Sequence, residues 1–126
     1  MTIRQSASFN NTVYVGAHGN LSLEEGRVVA VAAAIGDEFQ VLELPIGLKL
    51  TGVRLITAGL GNAVAIDVKV NDTVLVADEA VADAVSKHIP IAPEYLAEKG
   101  VLSVTIKGGE ATGSLIVMPE YVNVGF

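Results

Sequence analysis

Residues 63–70, AVAIDVKV, alternate between two kinds of side chain. The β-branched residues at the even positions fall on one face of an extended chain, and Asp67 and Lys69 fall on the other. Successive side chains of a β-strand point to opposite sides, so this segment predicts a strand with one buried and one solvated face. The buried face needs a second layer to cover it, which favours a β-sandwich or a barrel.

Short apolar segments separated by Gly, Pro and Asn continue on both sides of this strand. They predict further strands at residues 39–44, 48–57, 73–77, 88–92, 101–107 and 114–124. The facing of the apolar residues shifts by one at Thr51-Gly52, which predicts a β-bulge. Asn71-Asp72 lies between two valine-rich segments and predicts a two-residue hairpin turn, because both side chains tolerate positive φ.

Two other segments predict short helical turns. In residues 78–87, DEAVADAVSK, the apolar residues recur at helical spacing. Residues 93–99 begin with a proline and are followed by Gly100, which are start and stop signals for a helical turn. Together these patterns predict an all-β protein, a jelly-roll-like antiparallel β-sandwich of about eight strands with one or two short helical turns.

Residues 27–35, RVVAVAAAI, fit two structures. As a helix, the segment would have a capping box made by Ser22 and Glu25, and Gly36 would follow its last turn. Gly26 and the valines disfavour that helix, so we predict a strand. The inward side chains of this strand would be Val29, Val31, Ala33 and Ile35. Its outer face of small residues would be Val28, Ala30, Ala32 and Ala34.

Residues 1–26 differ in composition from the rest of the chain. They are polar, rich in Ser, Asn and Gly, and carry few large apolar side chains, so they cannot form a core of their own. We predict an extended N-terminal arm over residues 1–26, with residues 12–15 as an edge strand, and a β-sandwich domain over residues 27–126. A disordered tail is the alternative for the arm.

Composition limits the partners of the chain. Its formal net charge of −6 argues against nucleic-acid binding, which needs a basic face. No apolar segment approaches the roughly 18 residues needed to cross a bilayer, and the N-terminus lacks the apolar stretch of a secretory signal, so we expect no membrane association. The chain has no cysteine, which excludes disulfides, thiolate catalysis and cysteine-based zinc sites.

No residue pattern predicts catalysis or metal binding. The two histidines, His18 and His88, lie far apart, and neither stands in a metal-binding motif. The clustered carboxylates lack EF-hand spacing; they are Asp72, Asp78, Glu79 and Asp83. We therefore expect no enzyme activity, no catalytic residue, no cofactor and no metal. A pocket with two convergent carboxylates, or His88 held by an acid, would instead indicate an enzyme.

Several segments in residues 36–126 resemble those of a known group of proteins. They are LPIGLKLTGVRLIT at residues 44–57, the alternating strand at 63–70, Tyr95-Leu96, VLSVTI at 101–106 and EYVNVG at 120–125. In this order they are similar to segments of tailed-phage capsid decoration (cement) proteins and related head-associated virion proteins. The arm and residues 27–35 lie outside the resemblance.

The resemblance implies a jelly-roll-like sandwich that binds the outside of an icosahedral shell and reinforces it. Such proteins act as homodimers or homotrimers over seams between subunits of the major capsid protein. The protein would then be located on the capsid surface of the virion, after assembly in the host cytoplasm.

The resemblance also leads to a hypothesis about contact residues. Arg4, Phe9 and Tyr14 of the arm would contact the shell. The outer face of residues 27–35, represented by Val28, Ala30 and Ala32, would pack against other subunits. Two alternatives use the same sandwich: a phage tail or fibre component, and a carbohydrate-binding or adhesin module, which would show exposed aromatic residues clustered on one face.

Overall fold

The computed structural model describes residues 3–10, 12–13 and 20–124. They form ten strands: β1 (Ile3–Gln5), β2 (Leu21–Leu23), β3 (Gly26–Ala33), β4 (Glu38–Leu44), β5 (Leu48–Thr57), β6 (Ala65–Val70), β7 (Thr73–Ala80), β8 (Val85–Tyr95), β9 (Gly100–Lys107) and β10 (Ala111–Asn123). Within these described residues there is no helix, and so none that is long and apolar enough to span a membrane.

The strands form two packed sheets. Sheet A has the order β1-β4-β9-β6-β7, and sheet B has the order β2-β10-β5-β8, with β3 also paired to β10. The antiparallel pairs β3–β10, β4–β9, β5–β8 and β6–β7 are nested inside one another along the chain. This nesting is that of a long hairpin rolled into two layers, the jelly roll. The predicted all-β, jelly-roll-like sandwich is therefore confirmed.

The two predicted helical turns are wrong. Residues 78–87 contain the end of β7, a short connection and the start of β8, and residues 93–99 contain the end of β8 followed by a bend. The backbone N–H of Val81 donates to the carbonyl of Val64 at 3.0 Å, and that of Leu96 donates to the carbonyl of Leu48 at 2.8 Å. Pairing with distant strands takes up these donors, and such tertiary pairing overrides weak local helix preference.

The core lies between the two sheets and is built from aliphatic side chains. The strand predicted from residues 63–70 is β6 with the two residues before it, and its even-numbered residues are all buried, as predicted. The predicted bulge at Thr51-Gly52 is confirmed, because the register of β5 shifts there against both β8 and β10. The predicted turn at Asn71-Asp72 is also confirmed, and Asn71 has a φ of 52°.

Residues 27–35 lie mainly in strand β3, as predicted, but the predicted facing is wrong over residues 28–31 and right at Ala32 and Ala33. Val28 is 0% exposed, whereas Val29 is 61% and Val31 is 70% exposed. The register with β10 sets Val28 opposite the buried Leu115, and a shift of one residue in register turns every side chain to the other face.

The inward and outward alternation of the β3 side chains is interrupted near the C-terminal end of the strand. Ala33 pairs with Ala111, and Ala30 pairs with Gly113, so two residues of β3 lie opposite one residue of β10. Ala32 has a φ of 48° at this irregularity. The extra residue returns Ala33 to the core.

The described part of residues 1–26 lies on the sandwich. Strand β1 pairs parallel with β4, and β2 pairs with β10. The Ser8 hydroxyl donates to the carbonyl of Val41 at 2.7 Å and accepts from the backbone N–H of Arg27 at 3.1 Å. Residues 12–13 lie in no strand, and residues 14–15 are outside the described residues. The division into an arm and a sandwich at residue 26 stays a prediction.

Candidate interaction surface

The outer face of sheet A carries several ion pairs. Lys69 Nζ lies 2.6 Å from Glu38 Oε1, and Lys107 Nζ lies 3.0 Å from both Asp67 Oδ2 and Asp78 Oδ1. The register explains these pairs, because Glu38 of β4 and Asp67 of β6 both lie opposite Thr105 of β9. This brings the two acids close to the lysines of β6 and β9 on the same face. Charges that are already paired within the chain suit a face turned toward solvent.

The carboxylate of Asp67 is stabilised in its charged form by several neighbours. Burial raises its pKa, but the backbone N–H of Asp78 at 2.8 Å and the ammonium group of Lys107 lower it by more, so the pKa lies below its ordinary value. The hydrogen bonds to Asp67 and Asp78 raise the pKa of Lys107.

We expect Asp67→Asn to reduce the pH dependence of stability. A carboxylate with a lowered pKa in the folded state stabilises the fold above its unfolded pKa, and that stabilisation is lost as the pH falls through the folded pKa. The variant should be about 1 kcal/mol less stable at pH 7, and the difference should shrink as the pH falls below the ordinary pKa of an aspartate. Urea unfolding between pH 2 and pH 7 measures it. Asp83→Asn, at an exposed bend, is the control; an equal pH-dependent loss in both variants would contradict the prediction.

The outer face of sheet B carries more of the large exposed apolar side chains than the outer face of sheet A does. Its register sets Arg27, Ile116, Ile56 and Ser86 in one row across β3, β10, β5 and β8. We call this surface the apolar face, and its exposed large side chains are Leu21, Leu23, Val29, Val31, Ile56 and Tyr95. Large exposed apolar patches on soluble proteins mark interaction sites more often than single exposed residues do. The two sides of the sandwich thus differ in chemistry.

The three predicted contact residues of the arm have different environments. The guanidinium of Arg4 lies 3.6 Å from the carboxylate of Asp37 and 5.9 Å from the centre of the Phe39 ring, and its side chain is about half exposed. Phe9 is only 9% exposed, so it contributes to packing. Tyr14 lies outside the described residues.

The three predicted contact residues of β3 do not share one exposed face. Val28 and Ala30 are buried in the core, and only Ala32 is exposed. Val29 and Val31 form the accessible side of the strand instead. Sequence reasoning missed them because both faces of residues 27–35 are apolar, and the alternation alone does not say which face turns inward.

An open cavity of about 230 Å³ lies at the edge where β1 of sheet A approaches β3 of sheet B. It is lined by Arg4, Gln5, Ser6, Ala7, Arg27, Val29 and Phe39. The cavity combines apolar walls with two guanidinium groups, and it continues from the apolar face at Val29. It therefore extends the same candidate surface around the edge of the sandwich.

His88 is paired with an acid, which the sequence did not predict. Its Nε2 lies 3.0 Å from Glu120 Oε2, and Glu120 Oε1 accepts a hydrogen bond from the Thr51 hydroxyl at 3.0 Å. The pair crosses β5 at Gly52, where a Cβ atom would lie 2.6 Å from His88 Nε2. Glycine at the bulge is thus what lets the two side chains meet.

This histidine–acid pair is the feature that would indicate an enzyme, so its surroundings matter. His88 lies on the open face of sheet B with 40% of its side chain exposed, beside a shallow pocket rather than a cleft. Within residues 3–10, 12–13 and 20–124, no three His, Asp or Glu side chains are grouped so as to hold a metal ion. The arrangement ties β8 to β10 across β5, and it forms no enclosed site that would exclude water from a reaction.

No family model and no curated protein matches the sequence. Three solved structures with a similar fold are structures of phage capsids. A chain in the capsid of Ralstonia phage GP4 has a TM-score of 0.75 and 19% identity, with 99% of both chains covered. A chain in the capsid asymmetric unit of cyanophage Pam1 has a TM-score of 0.71 and 18% identity over 90% of this chain and 94% of that one.

A third similar structure is more distant. A chain in the acid-stable capsid of Helicobacter pylori bacteriophage KHP30 has a TM-score of 0.54 and 14% identity over 86% of this chain and 92% of that one. Identities this low establish a common fold. The protein therefore shares its jelly-roll sandwich with chains found in three phage capsid structures.

Proposed function

We propose that this protein is a phage virion structural protein that binds the outer surface of the capsid and stabilises the shell, as a decoration (cement) protein does. The observation that carries the proposal is the match over 99% of both chains to a chain of a phage capsid. The sequence resemblance of residues 36–126 to decoration proteins points in the same direction. The partner would be the major capsid protein, bound by a homodimer or homotrimer on the capsid surface after assembly in the host cytoplasm.

The two-sided chemistry of the sandwich supports a protein that lies on a surface. The apolar face would lie against the shell, where burial of apolar area stabilises association. The outer face of sheet A, with its paired charges, would remain in water. A protein surrounded by solvent on all sides gains nothing from leaving large side chains such as Val29 and Val31 exposed on one side.

The arm would add to this contact. Arg4 lies on the edge strand β1 and is accessible without any rearrangement. Phe9 would have to leave its buried position to contact a capsid subunit. We therefore expect Arg4 to be the principal contact of the three arm residues, and Tyr14 stays part of the proposal.

We expect the full chain to bind purified capsids that lack it and to raise the temperature at which the shells break open. The double variant Val29→Ser/Val31→Ser should lose at least about tenfold in affinity, since burial of one valine is worth about 1.5–3 kcal/mol and tenfold corresponds to about 1.4 kcal/mol. Val74→Ser is the control on the other sheet, because Val74 is a half-exposed valine on β7 of sheet A. Co-sedimentation measures occupancy, and electron cryomicroscopy locates the added density.

Two results would contradict the proposal. One is wild-type protein that leaves the capsids bare at high concentration. The other is density at the tail and none on the head, which would make the protein a tail or fibre component.

A further inference from the structure

Two of the eight basic side chains are left without an acidic partner. Among the described residues, which include every Lys and Arg of the chain, six have a carboxylate oxygen within 4.0 Å. Lys49 and Arg54 have none. This is informative because the chain has 14 carboxylates and a net charge of −6, so acids are abundant on its surface.

Both side chains lie on the same strand and the same face. Lys49 and Arg54 are exposed residues of β5 and point outward from sheet B. Arg54 lies opposite Met118 and His88, and Lys49 lies opposite Val122 and Tyr95. The two unpaired cations therefore lie on the apolar face.

The nearby carboxylate of Glu120 is already used. Glu120 Oε1 accepts a hydrogen bond from the Thr51 hydroxyl, and Glu120 Oε2 lies 3.0 Å from His88 Nε2, so both oxygens already have partners. A shallow pocket of about 250 Å³ is lined by Arg54, Ile56, Ser86, Lys87 and His88. Lys87 at its rim is paired with Glu79. The pocket thus offers Arg54 as an unpaired donor to a group entering from outside.

We propose that the apolar face docks on an acidic region of a capsid subunit. This region would combine an apolar patch with carboxylates that pair with Arg54 and Lys49. This inference rests on the proposed function and adds the chemistry of the partner to it. A planar guanidinium binds a carboxylate through two parallel hydrogen bonds, which fixes orientation as well as adding affinity.

The net charge of this chain favours one orientation of docking on an acidic partner. An acidic partner repels a chain of net charge −6 in most orientations, and the apolar face is where unpaired positive charge is offered. Lys49 and Arg54 are five residues apart and an extended chain rises about 3.3 Å per residue, so their Cα atoms lie about 16 Å apart along β5. The partner would carry carboxylates at about this spacing.

The test uses the full chain, capsids that lack it, and charge reversals. We expect Arg54→Glu and Lys49→Glu each to weaken capsid binding at least about tenfold, and wild-type affinity to fall as salt is raised. Lys99→Glu is the matched control, because it makes the same charge change at an exposed lysine paired with Glu43 of sheet A. It should bind within about twofold of wild type. Thermal unfolding of each variant checks that the fold is retained.

The outcomes separate this inference from the proposed function. Wild-type protein that fails to bind capsids overturns both. Wild-type binding with unchanged Arg54→Glu binding, or an equal loss in Lys99→Glu, overturns this inference alone.

Two other occupants of the face are tested in parallel. Binding of a single-stranded oligonucleotide that is lost in Arg54→Glu would identify a phosphate partner. A lower mass of Arg54→Glu in sedimentation velocity would identify a second copy of this chain. Either result overturns the acidic capsid surface as the partner.

Discussion

Replacement of Leu55 by Ala is expected to lower the free energy of unfolding by about 2–5 kcal/mol, whereas the same replacement of Ile56 should cost about 1 kcal/mol or less. The two residues are neighbours on β5, and the pleat of the strand turns them to opposite faces. Leu55 is completely buried, while Ile56 is 38% exposed on the apolar face.

The size of the effect follows from the position of β5. This strand lies between β10 and β8 in sheet B, and Leu55 pairs with Val117 on one side and Lys87 on the other. Shortening the side chain leaves a cavity between the sheets that the surrounding strands cannot fill, so the loss exceeds the transfer free energy of the deleted atoms.

Urea unfolding followed by circular dichroism measures both variants. Because typical domains are stable by only about 5–15 kcal/mol, Leu55→Ala should move the unfolding midpoint far more than Ile56→Ala. Similar midpoints for the two variants would show that the facing of β5 is wrong. A small loss in Ile56→Ala would also show that the apolar face can be altered without loss of the fold, which the binding experiments require.

The second large effect is expected at Gly108, in the loop between β9 and β10. Gly108→Ala should destabilise the protein by about 2–5 kcal/mol. The residue has a φ of 79°, a left-handed conformation that residues with a Cβ adopt at a cost. A Cβ atom there would also collide with the backbone carbonyl oxygen of Ala63. The carbonyl belongs to the chain just before β6, so it cannot move without disturbing that strand.

Gly36→Ala separates the two causes. Gly36 has a φ of 93°, but a Cβ atom at this position would meet nothing within 4 Å. This variant should therefore show only the conformational cost of about 1–2 kcal/mol. Thermal and urea unfolding of both variants give the comparison. Equal losses of stability in the two variants would mean that the contact with Ala63 contributes nothing to the effect of Gly108→Ala.

The local sequence pattern was enough to predict the strands whose two faces differ in polarity. In β6 the branched residues face inward and Asp67 and Lys69 face outward, as their alternation predicts. The bulge in β5 was visible because Gly52 coincides with a change of phase. Such features depend on neighbours in sequence, so the sequence is sufficient to predict them.

The errors lie where the local pattern was weak or ambiguous. Residues 78–87 have apolar residues at helical spacing, but their backbone groups pair with strands distant in sequence. In β3 both faces are apolar, and only the pairing of Val28 with Leu115 decides which face is buried. The pair formed by His88 and Glu120 spans 32 positions of the chain and needs Gly52 between them, so no spacing rule could find it.

The alternation of side chains within each strand follows from the amino-acid order, because the pleat has a period of two, and it determined that this protein is an all-β sandwich. The tertiary structure decided which face of β3 is buried, which acid holds His88, and that Lys49 and Arg54 stay unpaired on the apolar face. These properties depend on cross-strand register, which joins residues far apart in the chain, and the period of a single strand carries no information about its neighbour.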